Sequence, residues 1–346
     1  MFTKFRTATL IALAYSLVLT CIPGINSAAS EQNSTDAQAE AAAALQRVRD
    51  KVDDIARNRS EEQVVTEIAA WKQRDPWSPE PYIVAANYYL RKTLEPTGIN
   101  IYSTESGTPP TEPGEQFSIV DPKSGKEVGV LTEGPTGSKP DVQTIRKYRS
   151  AAADELDRAL KVAPDRLDIM LGRALVLNDA HVWQSLREQM ELALKRASRD
   201  PQNLLWLENK PTPRPAAEEV LDSIHSKIVD AFDERTAAGD RRAKELAALG
   251  LKYFPNAVKL LSDLATAHAF AKDWRTAARY YERAAALAPE DSIVLGNLAR
   301  AYMELGNRQK AELSAKKVIE LNNDPRAIEQ AREVLQRLSE KHPKAR

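Results

Sequence analysis

Cysteine is nearly missing from this chain: Cys21 is the only one in 346 residues, and it lies in an N-terminal stretch that reads as removable. The remainder has no thiol for a disulfide, a thiolate metal site or a cysteine nucleophile. Histidine is scarce as well. His181, His225, His268 and His342 are far apart, with no HExxH and no second ligand at metal spacing, so no metal site and no cofactor is expected. No Gly-x-Ser-x-Gly turn occurs, and the stretch from Gly134 to Lys139 lacks the order of a phosphate loop and runs into Pro140. Adjacent acids such as Asp53-Asp54, Asp154-Glu155 and Glu218-Glu219 point to different parts of a helix surface, where solvation accounts for them. No catalytic residue is identified, and the chain reads as non-enzymatic. An excess of one charge is also missing, with 49 Lys and Arg against 49 Asp and Glu. That balance offers no basic field to a nucleic acid.

A long hydrophobic run is the last absence. The longest, Ala8 to Leu19, falls short of the roughly 20 residues of a membrane span. It follows Lys4 and Arg6 and precedes Pro23, Gly24 and the small residues Ser27 to Ser30. This order of basic start, short apolar middle and small-residue end is that of a secretory signal, so residues 1–30 are expected to be a signal peptide cut near Ala29 or Ser30. The mature protein is then periplasmic or secreted, with no integral membrane span. Retention as an uncleaved anchor is opposed by the length of the run, and lipidation at Cys21 by the bulky Val18-Leu19-Thr20 before it.

Residues 31–40 are small and polar and read as a mobile leader. Apolar spacing of three and four then predicts helices from Ala41 to Arg57 (Leu45, Val48, Val52, Ile55) and from Glu61 to Lys72 (Val64, Val65, Ile68, Trp71). The Pro-rich run 75–81 breaks the second. A third covers Tyr82 to Arg91 and carries Tyr88 and Tyr89.

The pattern changes at Lys92. Residues 93–140 are rich in Thr, Pro, Gly and Ser, and within them Phe117 and Ile119, then Val128 and Val130, alternate with polar residues around the turn sequence Asp121-Pro-Lys-Ser-Gly-Lys. This predicts a β-hairpin, with a further short strand at Asn100 to Ser103. Helix resumes from Asp141 to Val162, with Ala152, Leu156 and Ala159 on one face, so the hairpin is inserted between two helices of one pair. Asp165 to Leu177 and Ala180 to Ala197 are expected as the next pair, the latter capped by Asn178 or Asp179. Leu204 to Leu207 reads as a short apolar turn. The proline cluster at 210–215 is read as a linker between an N-terminal helical subdomain, 41–209, and a C-terminal array, 216–346.

In that array the sequence repeats. Leu264, Ala265, Ala277 and Leu287 recur at one constant interval as Leu298, Ala299, Ala311 and Leu321, and Pro255 recurs at the same interval as Pro289. A period of about 34 residues belongs to stacked helical hairpins that bury their apolar faces against neighbours. Ala216 to Glu234 and Asp240 to Tyr253 form a degenerate pair before them, and Gln330 to Leu338 a closing helix.

With its Leu-Ala pairs, the small residues at Ala277 and Ala311, the turns Asp273-Trp274 and Gly306-Asn307, and Tyr281, Tyr302 and Pro289, this region resembles the tetratricopeptide repeat family. His268, Ala315 and Asn323 depart from its usual residues. The resemblance implies a mainly α fold, an α-α superhelix of helical hairpins, here with a small β-hairpin insertion. It also implies a scaffold that holds a protein or peptide in a groove lined by the first helix of each hairpin. Carried onto this sequence, the groove candidates are Lys259, Ser262, Thr266, Ala269, Gly296, Asn297, Arg300 and Met303. Tyr88 and Tyr89, beside the insertion, are a second candidate wall, although aromatic packing alone explains them as well. The alternative functions are binding of a cell-wall fragment or small ligand, and a hydrolase with an unrecognised site.

Overall fold

The structure, a computed structural model, describes residues 28–56, 59–93, 99–103, 116–120, 127–133 and 140–340. The expected signal region, residues 1–30, lies outside them except for residues 28–30. The chain divides into two compact units. One holds the described residues up to Val182 together with Leu205–Pro213, and the other holds Trp183–Leu204 and the residues from Arg214 onward.

The first unit contains α1 (Ala28–Ala56), α2 (Glu61–Arg74), α3 (Glu80–Lys92), α4 (Val142–Val162) and α5 (Leu167–Asp179). Helix α1 begins well before Ala41 and takes in residues 31–40, because the Ala-rich stretch 37–44 has high intrinsic helix propensity whatever its polarity. Ser60 starts α2 reciprocally: its hydroxyl accepts the Gln63 N–H, and the Gln63 side chain accepts the Ser60 N–H. Asp141 starts α4 by accepting the N–H groups of Gln143 and Thr144 at 2.8 and 2.9 Å. Val52 and Ile55 of α1, Val64 and Ile68 of α2, and Val84, Ala85 and Tyr88 of α3 form one core cluster.

Helices α3 and α4 pack against each other across the insertion, and α5 packs on α4. The insertion is a three-stranded antiparallel sheet of β1 (Ile99–Ser103), β2 (Gln116–Val120) and β3 (Glu127–Glu133) in the order β1-β3-β2. The expected hairpin is β2–β3, with Phe117 opposite Leu131, and the third strand pairs on the other side of β3, with Ile101 also opposite Leu131.

Arg166 is fully buried where three segments of this unit meet. Its guanidinium grips Asp168 of α5 with two hydrogen bonds of 2.8 Å, and a third nitrogen lies 3.6 Å from Glu80 at the start of α3. Beside it the Leu205 N–H donates to the Asp165 carbonyl at 2.8 Å. That bond anchors the short ribbon of β4 (Leu205–Trp206) and β5 (Lys210–Pro211), which is the apolar turn read at 204–207.

The second unit contains α6 (Trp183–Arg199), α7 (Ala216–Asp233), α8 (Ala237–Tyr253), α9 (Val258–Phe270), α10 (Trp274–Leu287), α11 (Ser292–Glu304), α12 (Arg308–Leu321) and α13 (Pro325–Glu340). The two helices of the expected pair fall in different units, α5 in the first and α6 in the second. Asn178 and Asp179 end α5 instead of capping α6, and α6 packs on α7 and α8 in the second unit. The hairpins α7/α8, α9/α10 and α11/α12 follow, each packed on the next, and α13 closes the series.

Ala265, Ala277, Ala299 and Ala311 are completely buried, because the helices approach where the side chains are smallest. Asp273 and Asn307 fill equivalent caps, each accepting an N–H from three residues on at 3.2 Å. Gly239 opens α8 where a Cβ would stand 2.2 Å from the Ala231 carbonyl oxygen, a backbone atom that cannot yield.

The departures from the repeat pattern have local partners. His268 stacks on Tyr280 with centroids 5.8 Å apart and bonds Asp273 at 3.0 Å. Asn323 accepts the Ser292 hydroxyl and donates to the Glu290 carbonyl at 3.1 Å, tying two successive turns. Helix α13 starts earlier than Gln330, at Pro325, with Asp324 accepting the Ala327 N–H at 2.7 Å. The fold is mainly α, built of stacked helical hairpins. Among the described residues no helix is long and apolar enough to cross a membrane.

Candidate functional site

Helices α7, α9, α11 and α13 are the first helices of successive hairpins and the closing helix. The seam between α7 and α9 is bridged by three rungs. At one end the Lys259 ammonium pairs with Asp222. One turn further the His225 Nδ1 lies 2.8 Å from the Asp263 carboxylate. Two turns beyond that, Phe232 meets Phe270 edge to face, with centroids 5.1 Å apart. The steps from His225 to Phe232 and from Asp263 to Phe270 are both seven residues, which returns each helix to the same face. The rungs therefore stand on one surface, charged at one end and aromatic at the other.

Arg214 holds the charged end. It grips Glu219 with two bonds of 2.9 and 3.0 Å and reaches Asp222 at 2.8 Å. Burial pushes the Glu219 carboxyl above its ordinary range despite that partner. Burial also opposes ionisation of Asp222, but the hydrogen bonds from Lys259 and Arg214 outweigh it and hold its pKa low. Asp263 follows Glu219: burial raises its pKa against the pull of His225.

A carboxyl raised in the folded state contributes stability that is present below its unfolded pKa and lost as pH rises through the folded one. Asp263→Asn should therefore change stability in a pH-dependent way. The difference from the parent should move in favour of the variant as pH rises from about 4 to 7, by about 1 kcal/mol or less, read from urea unfolding at each pH. A difference that is constant with pH would contradict this assignment.

Thr266, one turn before Phe270, bonds the Tyr281 hydroxyl at 2.8 Å, and burial raises the Tyr281 pKa to about 12. Arg300 holds on α11 the place that Thr266, one repeat earlier, holds on α9. Arg300 is exposed and makes no ion pair or hydrogen bond among the described residues. Met303, one turn on, is half-buried and packs on the core cluster, as does Ala269. Arg300 and Met303 line a small depression with Gln330, Glu333, Val334 and Arg337 of α13.

The candidate residues are thus distributed unevenly. Lys259, Ser262, Thr266, Arg300 and Met303 fall on or beside the face. Asn297 and Gly296 are taken up by α13: Asn297 accepts from the Gln330 amide at 3.3 Å, and a Cβ on Gly296 would lie 3.3 Å from the same side chain.

In the first unit Tyr88 is buried in the core cluster, which leaves its ring no surface to offer. Tyr89 is half-buried and stacks on Tyr148 with centroids 6.2 Å apart, and Tyr148 donates to Glu61 at 2.8 Å. Sequence reasoning missed Asp222, His225, Asp263, Phe232 and Phe270 as members of the face. Their signal is the offset at which α7 pairs with α9, Asp222 with Lys259 and His225 with Asp263. That offset is longer than the period of the later repeats, which conceals it. Among the described residues no group of three or more His, Cys, Asp or Glu is placed to hold a metal ion.

Residues 271–328 match the family model of the tetratricopeptide repeat. No curated protein matches the chain. Similar solved structures include YrrB, described as a TPR protein with an unusual peptide-binding site, at 13% identity over 54% of this chain and 84% of that one, with a TM-score of 0.35. MamA from Desulfovibrio magneticus RS-1 is 12% identical over 51% of this chain and 87% of its own, with a TM-score of 0.32. Acl4, the assembly chaperone of RpL4, is 14% identical over 57% and 82%, with a TM-score of 0.36. Residues 271–328 are thus similar to tetratricopeptide repeats, a family of scaffolds typically used to bind proteins or peptides.

Proposed function

We propose that this protein is a non-enzymatic scaffold of a bacterial envelope, which holds a protein or peptide partner against the first-helix face of its second unit. The observation that carries the reading is the α7–α9 seam: a partly exposed aromatic pair and the unpaired Arg300 share a face whose other rungs are bound in pairs. Such a surface is built to keep its shape while leaving a few groups for a partner. The N-terminal order of Lys4 and Arg6, the apolar run to Leu19 and the small residues to Ser30 supports export to the periplasm or the exterior. The inserted sheet, with β1 and β2 at its two edges, is a second element of specificity.

The test is affinity capture from an envelope extract with three baits: the parent chain, Phe270→Ser combined with Arg300→Glu, and a chain with residues 96–139 replaced by a short Gly-Ser linker. The parent should recover a defined partner that the double variant loses. Equal recovery by the double variant would place binding elsewhere, and a glycan as the sole ligand would overturn the protein-scaffold reading. Recovery unchanged by the linker exchange would remove the sheet from the binding site.

A further inference from the structure

Equal numbers of acids and bases in the whole chain conceal a separation of charge inside the second unit. The second helices of the hairpins are basic: α8 carries four Lys and Arg against two Asp and Glu, α10 three against one, and α12 four against two. The first helices are not, with one base against five acids in α7 and one of each in α9 and in α11.

The excess is sharpest on α10. Arg275, Arg279 and Arg283 follow one another at spacings of four, which places them along one side of the helix, and all three are exposed. Like charges at that spacing oppose helix formation. No acid of the helix relieves them, because Glu282, its only one, is taken by Lys310 and the Tyr302 hydroxyl. Arg283 donates to the Pro255 carbonyl at 3.2 Å, whereas Arg275 and Arg279 make no hydrogen bond or ion pair among the described residues.

The flanking helices continue the row. Arg241 on α8 and Lys317 on α12 stand one repeat from Arg275 and Arg283, and both are exposed and equally without partners among the described residues. Nearby, Glu312 is held by Lys316, and Asp273 caps α10 and bonds His268. Glu245 and Glu320 are exposed and make no ion pair among the described residues, and these two acids do not balance the five cations of the row.

Large apolar side chains stand among these charges. Leu313 holds on α12 the place that Arg279 holds on α10 and is 71% exposed, and Leu287, four residues beyond Arg283, is 47% exposed. A soluble polyanion has no use for them. The interface of an anionic bilayer has use for both kinds, since it draws cations to its headgroups and takes apolar side chains at the boundary with the acyl chains. Cations spread over three successive helices also suit a field of many headgroups better than one anion, which needs donors converging on a point. The N-terminal order read as an export signal would bring the chain to such a bilayer.

We propose that the exposed side of α10, with the adjoining parts of α8 and α12, rests on a bilayer rich in anionic phospholipid. Arg275, Arg279 and Lys317 face the phosphates, and Leu313 enters the interface below them. This side is not the first-helix face, so the two readings stand or fall separately.

The apolar run Ala8–Leu19 can bind a vesicle of any composition, so the test reads which face meets the lipid and not whether the chain sediments. The full chain with Cys21→Ser carries a single environment-sensitive NBD label, either at Leu313→Cys or, on the first-helix face, at Glu304→Cys. Vesicles are of phosphatidylcholine alone or with about one-third phosphatidylglycerol. The label at 313 should brighten and shift to the blue with the anionic vesicles, about fivefold more than with the neutral ones, and the label at 304 should respond to neither. Arg275→Gln combined with Arg279→Gln should reduce the response at 313 about fivefold or more, the corresponding Lys pair should keep it, and about 0.5 M salt should suppress it. These side chains are exposed, and a circular dichroism spectrum matching the parent confirms the fold of each variant.

The proposal is overturned if the label at 313 responds to both kinds of vesicle alike, if the label at 304 responds as strongly, or if the glutamine pair responds like the parent. An equal response to soluble polyphosphate alone would assign the row to a free polyanion and overturn it too. Silence toward every vesicle would leave the row to an acidic protein surface, and the lipid reading would fall.

Discussion

Arg166→Met is expected to destabilise the first unit by about 3–5 kcal/mol, the usual consequence of removing one partner of a buried ion pair. In a unit of this size that is a fall of roughly 10 °C in the thermal midpoint. The guanidinium is 1% exposed, and the Asp168 carboxylate it grips is 11% exposed. Neither group reaches enough water to replace the two hydrogen bonds between them.

Glu80 aggravates the loss. Burial already raises its pKa against the attraction of Arg166, and without the cation two carboxylates would face each other at the junction of α3 and α5. A raised carboxyl favours the folded state at low pH and ceases to do so as pH rises through its folded pKa. The deficit of the variant should therefore be greatest near neutrality and shrink as pH falls into the carboxylate range. Arg166→Lys should recover only part of the loss, since an ammonium cannot reproduce the planar two-bond grip. Calorimetry across pH 4.5–7.5 checks this, and a loss below about 1 kcal/mol that does not vary with pH would show the pair to behave like a surface one.

The second large effect is expected from Arg214→Met, which should remove about 3–5 kcal/mol from the second unit for the same physical reason. Glu219 is 2% exposed and loses both hydrogen bonds that keep its charge tolerable. Its pKa is already above the ordinary range because of burial, so the variant should regain stability as pH is lowered.

The decisive comparison is with Glu219→Gln. An amide carries no charge into the interior, so the double variant should recover most of what Arg214→Met loses, with a coupling of about 2 kcal/mol or more in the cycle. Urea midpoints for the parent, both single variants and the double variant give this directly. Additive losses would mean that Arg214 acts through its packing and not through Glu219. Asp222 keeps Lys259 in either case, so the rung that joins α7 to α9 should outlast the loss of Arg214.

The helices were legible where their cause is local. The reciprocal cap of Ser60 and Gln63, the cap of Asp141, and the buried spacing of Ala152, Leu156 and Ala159 each depend on residues within one or two turns. The repeat was legible for a related reason. Leu264, Ala265 and Ala277 and their counterparts Leu298, Ala299 and Ala311 occupy the same environment twice, so the sequence carries two readings of one packing problem. The alternation of Phe117 and Ile119 with Val128 and Val130 marked β2 and β3. Of the candidate face, Lys259, Thr266, Arg300 and Met303 were named from what the family resemblance implies for their places in the repeat.

What escaped has no local cause. Asn178 and Asp179 have the chemistry of a cap and sit before a helix, yet they end α5, because the turn that follows takes Ala180 to Val182, with His181 at a positive φ of 56°. Tyr88 and Tyr89 are adjacent and of one type, and only packing separates the buried ring from the half-buried one.

The sequence by itself determined the hairpin architecture, the starts of α2 and α4 and the place of the inserted sheet, since these follow from spacing along a single chain. Only the tertiary structure decided that Arg166 is sealed between Asp168 and Glu80, that residues 205–213 return to the first unit, and that His225 meets Asp263 as Phe232 meets Phe270. Each of these joins segments whose separation in sequence follows no period. Which of many such contacts forms depends on how whole helices pack, and packing is selected by volume and burial over the entire unit.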